Sequence, residues 1–361
     1  MKFQNVALIS VMCMALILCG CGTGPKLKDV PLVYGWSEAG LSGDSIIVFE
    51  RSGQYLYAGT ERGLYRHDLT KTDKSWGSLG LNNHSIKDMV IFNANRILAA
   101  VAIADFASGD PTLFLTTDGG KSWKNYQNGF GGANNETWVE HLQQDPTNSE
   151  ILYAARGGLI ARSTDRGSNW KPVVGTWDGY GGFNYALKTN PRDPGIVWVA
   201  GVNGLFAPNL LKSVDFGSTW ISLLSSVFSD HVETNISDLL INPHYSDTLL
   251  IGEEAAIEEG NGIKRSFDGG QNWTKVYNQT PIYTLVSDPL DYNQVYASGH
   301  NQNSTLFFAS SPDFGNTWKI VSDSAGPANI YTNALFADTL NGKKVLYFGT
   351  NKGVYRYVMA E

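Results

Sequence analysis

The chain has 361 residues, of which 42% are hydrophobic and 12% aromatic, so it can bury a large core. Thirty-nine glycines and a charged fraction of only 17% favour tight turns and β-structure over helices. The formal net charge is −7 and no run of lysines or arginines occurs, which excludes a nucleic-acid-binding face and disfavours an anionic membrane surface as partner.

The N-terminus has the features of an export signal. Lys2 supplies a positive start, and Val6 to Leu18 form an apolar run too short to be a comfortable permanent membrane span. The run ends in Leu18-Cys19-Gly20-Cys21, which resembles a bacterial lipobox. The alternative is an ordinary secretory peptide that is cleaved nearby.

The lipobox resemblance predicts that residues 1–20 are removed, that Cys21 is lipidated and that residues 21–30 form a tether. We therefore expect a protein that is lipid-anchored in the bacterial cell envelope, on the periplasmic face of the outer membrane or on the cell surface. All three cysteines lie within the first 21 residues, so the domain at 31–361 has no cysteine for a disulfide or a metal site. No cofactor and no metal are predicted.

From residue 31 onward the chain repeats one pattern of strands. Each unit has an apolar strand that often ends in Asn-Pro or Asp-Pro, followed by two apolar strands around a Gly-containing turn and a final strand that starts at a tryptophan. A period of about 45 residues with four strands is typical of a propeller blade. The tryptophans that mark the units are Trp36, Trp76, Trp123, Trp170, Trp220, Trp273 and Trp318.

Five units share the motif Ser/Thr-x-Asp-x-Gly-x-x-Trp before their last strand. An Asp at the head of a turn can accept hydrogen bonds from backbone N–H groups, and the Gly two residues later permits a positive φ. The Trp offers a large ring for packing between neighbouring sheets. We therefore assign a structural role to these aspartates, which are Asp118, Asp165, Asp215, Asp268 and Asp313. The first unit has a degenerate copy that ends at Trp76.

The two ends of the repeat predict a closed ring. The last unit has three strands and no motif of its own, whereas the domain begins with a lone strand, Pro31 to Trp36. That strand can complete the final blade and so remove the open sheet edges that favour aggregation. The sequence thus predicts an all-β fold, a seven-bladed propeller of four-stranded antiparallel blades. A six-bladed ring would leave one repeat unpaired.

The motif resembles the Asp-box of the BNR-repeat proteins, which include sialidases, xyloglucanase-type glycoside hydrolases, sortilin-like receptors and photosystem-assembly propellers. The likeness covers residues 31–361. The order and spacing of the strands and the motif within each unit look closest to those of the xyloglucanase and sortilin branches. It implies the propeller fold and says little about function, because this scaffold serves enzymes and binders alike. A sialidase needs three converging arginines and an Arg-Ile-Pro motif near the N-terminus, which this chain lacks.

Xyloglucanase-type enzymes set two aspartates across a cleft between two propellers, and this chain has one propeller. If it is a glycosidase, Asp88 and Asp238 are the first carboxylate pair to test. Aligning the units on their Asn-Pro or Asp-Pro places both in one ring of inner-strand residues. The ring also holds His141, Ala186, Thr284 and Ala334, with Asp44 or Ser45 from the first blade. Such polar groups could equally bind only water and backbone.

The loops after the Trp strands carry many aromatic residues among glycines, mainly in blades three and four. An aromatic rim of this kind suits a sugar or a peptide, although the rings could instead cap the blade ends. A separate segment, Glu253 to Gly262, is expected to be a solvated acidic lobe. The predicted ligand-binding residues are Tyr126, Trp138, His141, Trp177, Asp178, Tyr180 and Tyr185.

The preferred functional interpretation is a non-catalytic binding or assembly module that is attached to a membrane by lipid. Its predicted partner is a protein segment or a polysaccharide at the aromatic rim. The alternatives are a glycoside hydrolase that uses rim carboxylates and an assembly factor for a membrane complex.

Overall fold

The computed structural model describes residues 32–360 except 72, 103–111, 127–129, 131–137, 178–181, 203–207, 224–233, 256–259, 279, 301–305 and 323–326. The signal, Cys21 and the tether lie outside the described residues. The described strands form seven four-stranded antiparallel sheets, which we call blades 1–7. The all-β, seven-bladed prediction is confirmed.

The first four blades follow the chain in simple order. Blade 1 comprises β2 (Ile46–Ser52), β3 (Tyr55–Thr60), β4 (Gly63–Asp68) and β5 (Gly77–Ser78). Blade 2 comprises β6 (Ile86–Ile91), β7 (Ile97–Val101), β8 (Leu113–Thr116) and β9 (Lys124–Asn125). Blade 3 comprises β10 (His141–Gln144), β11 (Leu152–Arg156), β12 (Leu159–Ser163) and β13 (Lys171–Val174). Blade 4 comprises β14 (Phe183–Thr189), β15 (Val197–Val202), β16 (Pro208–Ser213) and β17 (Ile221–Ser222).

The last three blades include the one that joins the two ends of the domain. Blade 5 comprises β18 (Thr234–Ile241), β19 (Leu249–Ala255), β20 (Gly262–Ser266) and β21 (Thr274–Tyr277). Blade 6 comprises β22 (Ile282–Ser287), β23 (Val295–His300), β24 (Leu306–Ser311) and β25 (Lys319–Ser322). Blade 7 comprises β26 (Thr332–Leu340), β27 (Lys343–Thr350) and β28 (Gly353–Val358), completed by β1 (Gly35–Gly40).

The first strand of the domain closes the ring, as predicted. β1 pairs antiparallel with β28, with Gly35 opposite Val358 and Trp36 opposite Tyr357. The inner strands of successive blades contact one another all the way round, including β26 against β2. The closing strand begins at Gly35 and not at Pro31, because Gly35 has a φ of +84° and Leu32 turns into the core at 7% exposure.

The core lies between blades and centres on the second strand of each sheet. β7, β11 and β15 are buried along their whole length, whereas the outer strands β5, β9 and β17 are exposed. A second strand is covered on both faces, which explains its continuous apolar sequence. Each large apolar side chain that is buried in this way contributes roughly 1.5–3 kcal/mol.

The five motif turns, which we call box turns, share one hydrogen-bond pattern. The Ser or Thr hydroxyl donates to the Asp Oδ1 at 2.8–2.9 Å and accepts from the motif glycine N–H at 2.7–2.9 Å. The same Asp oxygen accepts the backbone N–H four residues later at 2.8–2.9 Å. The motif glycine has a positive φ, for example +87° at Gly120. Each aspartate therefore binds its own turn.

The box turns define one face of the ring. In all five, the residue before the motif glycine donates its backbone N–H to a backbone carbonyl oxygen at 2.7–3.0 Å. That carbonyl lies in the turn between the first two strands of the same blade. Both kinds of turn therefore lie together on what we call the box face. Because strands alternate in direction, the inner strands start at the opposite face, which we call the rim face.

Candidate binding site

A bulge near the start of the inner strands shapes the rim face. The register shifts by one residue in blades 1, 2, 4, 5, 6 and 7. A bulge bends its strand and redirects a side chain, and here it recurs around the channel mouth. The residues that follow it are Val48, Asp88, Ala186, Asp238, Thr284 and Ala334, and His141 has the corresponding partner in blade 3.

The predicted ring of inner-strand residues is therefore confirmed for blades 2–7. For blade 1 the prediction of Asp44 or Ser45 is wrong, because Val48 occupies the ring position opposite Gly59. Asp44 instead lies in the preceding turn, where its Oδ2 accepts the Thr60 hydroxyl at 2.9 Å. The predicted position was too early because the inner strand of blade 1 continues to Ser52 and its bulge lies between Ile46 and Val48.

A pocket of about 690 Å³ opens on the rim face between blades 1 to 4. We call it the rim pocket. Its apolar wall combines Trp138, Phe183 and Tyr185 with shorter side chains from the starts of β2 and β10. The Phe183 and Tyr185 rings are nearly parallel, with centroids 6.3 Å apart and planes at 21°. They are 37% and 39% exposed, so part of each ring is accessible from the pocket.

A few polar groups lie in the same wall and are held in place by their neighbours. The Glu140 Oε2 accepts the Asn184 backbone N–H at 3.0 Å. Burial raises the pKa of Glu140, although this hydrogen bond partly offsets the effect. The buried Arg156 guanidinium lies 4.2 Å from the Trp138 ring centroid and donates to the Trp177 carbonyl. One face of Trp138 is thus covered by the protein itself.

Below the rim pocket the central channel narrows to a cavity of about 200 Å³ with charged walls. Burial raises the pKa of Glu50 to about 8, and the Asp88 carboxylate adds to the effect. The Lys188 ammonium lies 3.1 Å from the Asp238 Oδ1. Burial opposes charge on Lys188, but the nearby carboxylates of Asp238, Asp88 and Glu50 outweigh it and raise the pKa.

Glu50 and Lys188 were not predicted from sequence as channel residues. Each lies two residues after a ring position, Val48 and Ala186 respectively, and so points to the same side of its strand. The alternation of side chains could therefore have identified both once the ring was aligned correctly.

Asp88 and Asp238 each connect neighbouring blades. Asp88 accepts its neighbour Met89 N–H at 2.8 Å through Oδ1 and the Leu142 N–H of blade 3 at 2.9 Å through Oδ2. Asp238 accepts the Leu239 N–H at 2.8 Å and the Leu285 N–H of blade 6 at 2.9 Å in the same way. Both residues are only 7% exposed. Their oxygens thus pair backbone N–H groups that would otherwise be buried without partners.

The structure brings some of the predicted ligand-binding residues together and separates others. Trp138, His141 and Tyr185 line the rim pocket. Tyr126 does not, because its hydroxyl lies 2.8 Å from Ser168 Oγ in a box turn. Trp177 packs partly buried against Phe130, with ring centroids 4.9 Å apart, and is also not among the lining residues. Asp178 and Tyr180 lie outside the described residues.

The prediction that Glu253 to Gly262 form a solvated acidic lobe is wrong for Glu253, the first residue of that segment. Glu253 is fully buried, and its carboxylate lies 3.1 Å from the Lys264 ammonium and 2.7 Å from that of Lys275. Glu254 accepts the Tyr283 hydroxyl at 3.0 Å. These glutamates extend β19 and serve internal contacts, and the later part of the segment, 256–259, is outside the described residues.

Among the described residues the structure has neither a cluster of metal-ligating side chains nor a membrane-spanning helix. Within residues 32–360, apart from the gaps given above, no group of three or more His, Cys, Asp or Glu side chains is arranged to hold a metal ion. The His141 Nδ1 lies 3.5 Å from the Asp88 Oδ2, but this is a pair only. The same residues include no helix long and apolar enough to cross a membrane.

Comparison with known proteins gives partial matches. No family model matches the chain. A xyloglucanase of Hypocrea jecorina (strain QM6a) is 26% identical over 249 residues, which are 64% of this chain and 27% of the relative. A xyloglucanase of Paenibacillus sp. is 28% identical over 206 residues, which are 54% of this chain and 19% of the relative. The chain thus matches only a minor part of each curated relative.

Solved structures extend the likeness to almost the whole domain. A GH74 enzyme of Niastella koreensis has a TM-score of 0.65 at 19% identity over 90% of this chain and 53% of that chain. The GH74 xyloglucanase of Xanthomonas campestris has a TM-score of 0.66 at 16% identity over 89% of this chain and 53% of that one. YCF48 bound to D1 peptide has a TM-score of 0.63 at 15% identity, with 93% and 100% of the two chains covered. Together these likenesses establish the fold that this chain shares with xyloglucanase and YCF48 propellers.

Proposed function

We propose that this protein is a non-catalytic binding propeller of the bacterial cell envelope, anchored by lipid at Cys21, which takes up a polysaccharide or a protein segment in the rim pocket. The observation that carries the proposal is the pocket itself. It is large and mostly apolar, it presents half-exposed aromatic rings, and it has a few fixed polar groups, a composition typical of ligand sites.

The roles of the channel carboxylates favour binding over catalysis. A general acid or nucleophile must be free to exchange a proton or to attack the substrate. Both oxygens of Asp88 and of Asp238 already accept backbone N–H groups, one of them from the next blade. This arrangement is suited to holding the ring together.

A glycoside hydrolase is the second candidate, because two curated relatives quoted above are named xyloglucanases. In that case Asp88 and Asp238 would be the catalytic pair. This chain matches 53% of each GH74 chain. The remaining part of those enzymes therefore has no counterpart in this chain's match. An activity on xyloglucan is therefore a proposal to be tested and not an expectation from fold.

The test uses the full chain and xyloglucan as the first probe. Retardation in gels that contain the polysaccharide measures binding, and release of reducing ends measures hydrolysis. Tyr185→Ala removes a ring from the rim pocket, and Tyr245→Ala is a matched control because Tyr245 is 68% exposed on the box face. Loss of a partly buried ring costs about 1.4 kcal/mol, so binding by the Tyr185 variant should weaken about tenfold.

The outcomes separate the two candidates. Binding without release of reducing ends, weakened by Tyr185→Ala alone, supports the binding propeller with a polysaccharide ligand. Release of reducing ends overturns the non-catalytic proposal. If xyloglucan and a panel of other polysaccharides are not bound, the protein ligand is sought by pull-down from native envelope extracts with the same two variants. Equal retention of partners by both variants would refute the rim pocket as the site.

A further inference from the structure

The N-terminal tether joins the propeller on the box face. β1 starts at Gly35, which pairs with Val358 at the end of β28, so the chain enters at the face where β28 ends. The Tyr34 ring lies 4.0 Å from the Lys343 ammonium, immediately after the turn between β26 and β27. Leu32 packs in the same core cluster as Leu340 and Val358. All these contacts belong to the box face.

The rim pocket opens on the other face. Its lining residues come from the starts of β2, β6, β10 and β14, from the segments just before them and, for Ala102, from the position that directly follows the end of β7. In an antiparallel blade these starts lie at the end opposite the box turns. The attachment point and the pocket are therefore separated by the full height of a blade.

We infer that the rim pocket faces away from the membrane to which the protein is anchored, so that its ligand must be soluble or must project well above the lipid surface. This inference rests on the proposed lipid anchor at Cys21. It narrows the class of ligand, because a segment that lies at the bilayer surface could not enter the pocket.

The lengths support this orientation. The nine-residue inner strand β26 is roughly 30 Å long at about 3.4 Å per residue. The ten residues of the proposed tether, 21–30, span at most roughly 35 Å when fully extended. To press the rim face onto the bilayer, the tether would have to run stretched along the whole height of the propeller. A chain segment held at its full length has almost no conformational freedom left, so the box face is the one held towards the membrane.

The box face carries exposed apolar side chains, which suit a surface that lies near lipid. Tyr245, Phe267 and Leu290 on this face are 68%, 63% and 62% exposed. The box turns on the same face carry charges of both signs, for example Asp118 with Lys121 and Asp165 with Arg166.

The experiment compares two fluorescent reporters in the full lipidated chain, reconstituted in phosphatidylcholine vesicles that carry a quencher on their headgroups. Leu290→Cys places a label on the box face, and Arg62→Cys places the same label in the exposed turn between β3 and β4 on the rim face. The sequence has no cysteine after Cys21, and the lipid blocks the sulfur of Cys21 itself, so each label is unique.

We expect the Leu290→Cys label to lose fluorescence when the quencher is present and the Arg62→Cys label to retain it. Quenching of the Arg62→Cys label alone, or equal quenching of both, would overturn the inferred orientation. Flotation of the protein with the vesicles is measured in the same samples. A chain that does not float overturns the lipid anchor, and with it the inference, whereas a chain that floats with the wrong pattern overturns the orientation alone.

Discussion

Replacing Asp238 with Asn tests whether the channel carboxylates hold neighbouring blades together. Asp238 connects three blades: it accepts the Leu239 N–H of its own strand and the Leu285 N–H of blade 6, and it pairs with the Lys188 ammonium of blade 4. An Asn side chain has nearly the same shape but only one acceptor oxygen and no charge. One backbone N–H therefore loses its acceptor, and Lys188 loses the carboxylate that it contacts directly, while the charges of Asp88 and Glu50 remain.

The expected cost follows from these contacts. A buried N–H left without an acceptor costs about 1–3 kcal/mol. Removing one partner of a fully buried ion pair costs about 3–5 kcal/mol. Lys188 retains 39% exposure to the channel, so solvent screens this pair and its contribution must be reduced well below that range. We therefore expect Asp238→Asn to lower the free energy of unfolding by about 2–4 kcal/mol.

Asp88→Asn is the matched control. Asp88 accepts the equivalent backbone N–H groups of Met89 and Leu142, but the side chain paired with it is the His141 imidazole at 3.5 Å and not an ammonium group. Asp88→Asn should lower the free energy of unfolding by about 1–3 kcal/mol. The larger loss expected for Asp238→Asn then reports the direct contact between Asp238 and Lys188 at 3.1 Å. Urea unfolding at neutral pH, followed by tryptophan fluorescence, measures both. If Asp238→Asn is as stable as the wild type, or no less stable than Asp88→Asn, the reasoning is refuted.

Two further predictions concern the channel acid and the box turns. The folded pKa of Glu50 is raised to about 8 from an ordinary 4.5, so the folded state binds the extra proton and stability should fall as pH rises from about 4.5 to 8. Glu50→Gln should flatten this fall in a pH series of urea midpoints, and an unchanged slope would contradict the assignment. Gly120→Ala should destabilise far more than Gly43→Ala in thermal unfolding. Both glycines have positive φ, +87° and +79°, but a Cβ at Gly120 would lie 2.4 Å from the Leu79 carbonyl oxygen, whereas Gly43 has open space. Equal losses would show that the backbone angle alone matters.

The repeated turn chemistry made the fold predictable. Asp165 and its counterparts occur at fixed distances before a tryptophan, and the physical demands of a tight turn allow few other sequences at these positions. The lone strand around Trp36 then required a partner, which β28 provides. These features are local or periodic, so a single sequence suffices to read them.

The candidate site was only partly predictable, because a pocket depends on where side chains point. Trp138 and Tyr185 were expected at the rim and line the pocket, whereas Tyr126 occupies the same kind of loop and turns towards Ser168. The direction is set by packing between blades 2 and 3. Nothing in the spacing of aromatic residues distinguishes the two outcomes.

The sequence by itself determined the number of blades, the strand that closes them and the structural role of the box aspartates, since each depends on a short segment or on its repetition. Aligning the repeats placed Asp88 and Asp238 in one ring, but only the tertiary structure decided how these carboxylates pair with Lys188 and with the backbone of the next blade. Glu50, Asp88, Lys188 and Asp238 come from blades 1, 2, 4 and 5, and are brought together only when the ring closes. Their charges and hydrogen bonds then depend on distances across that ring, which no local pattern encodes.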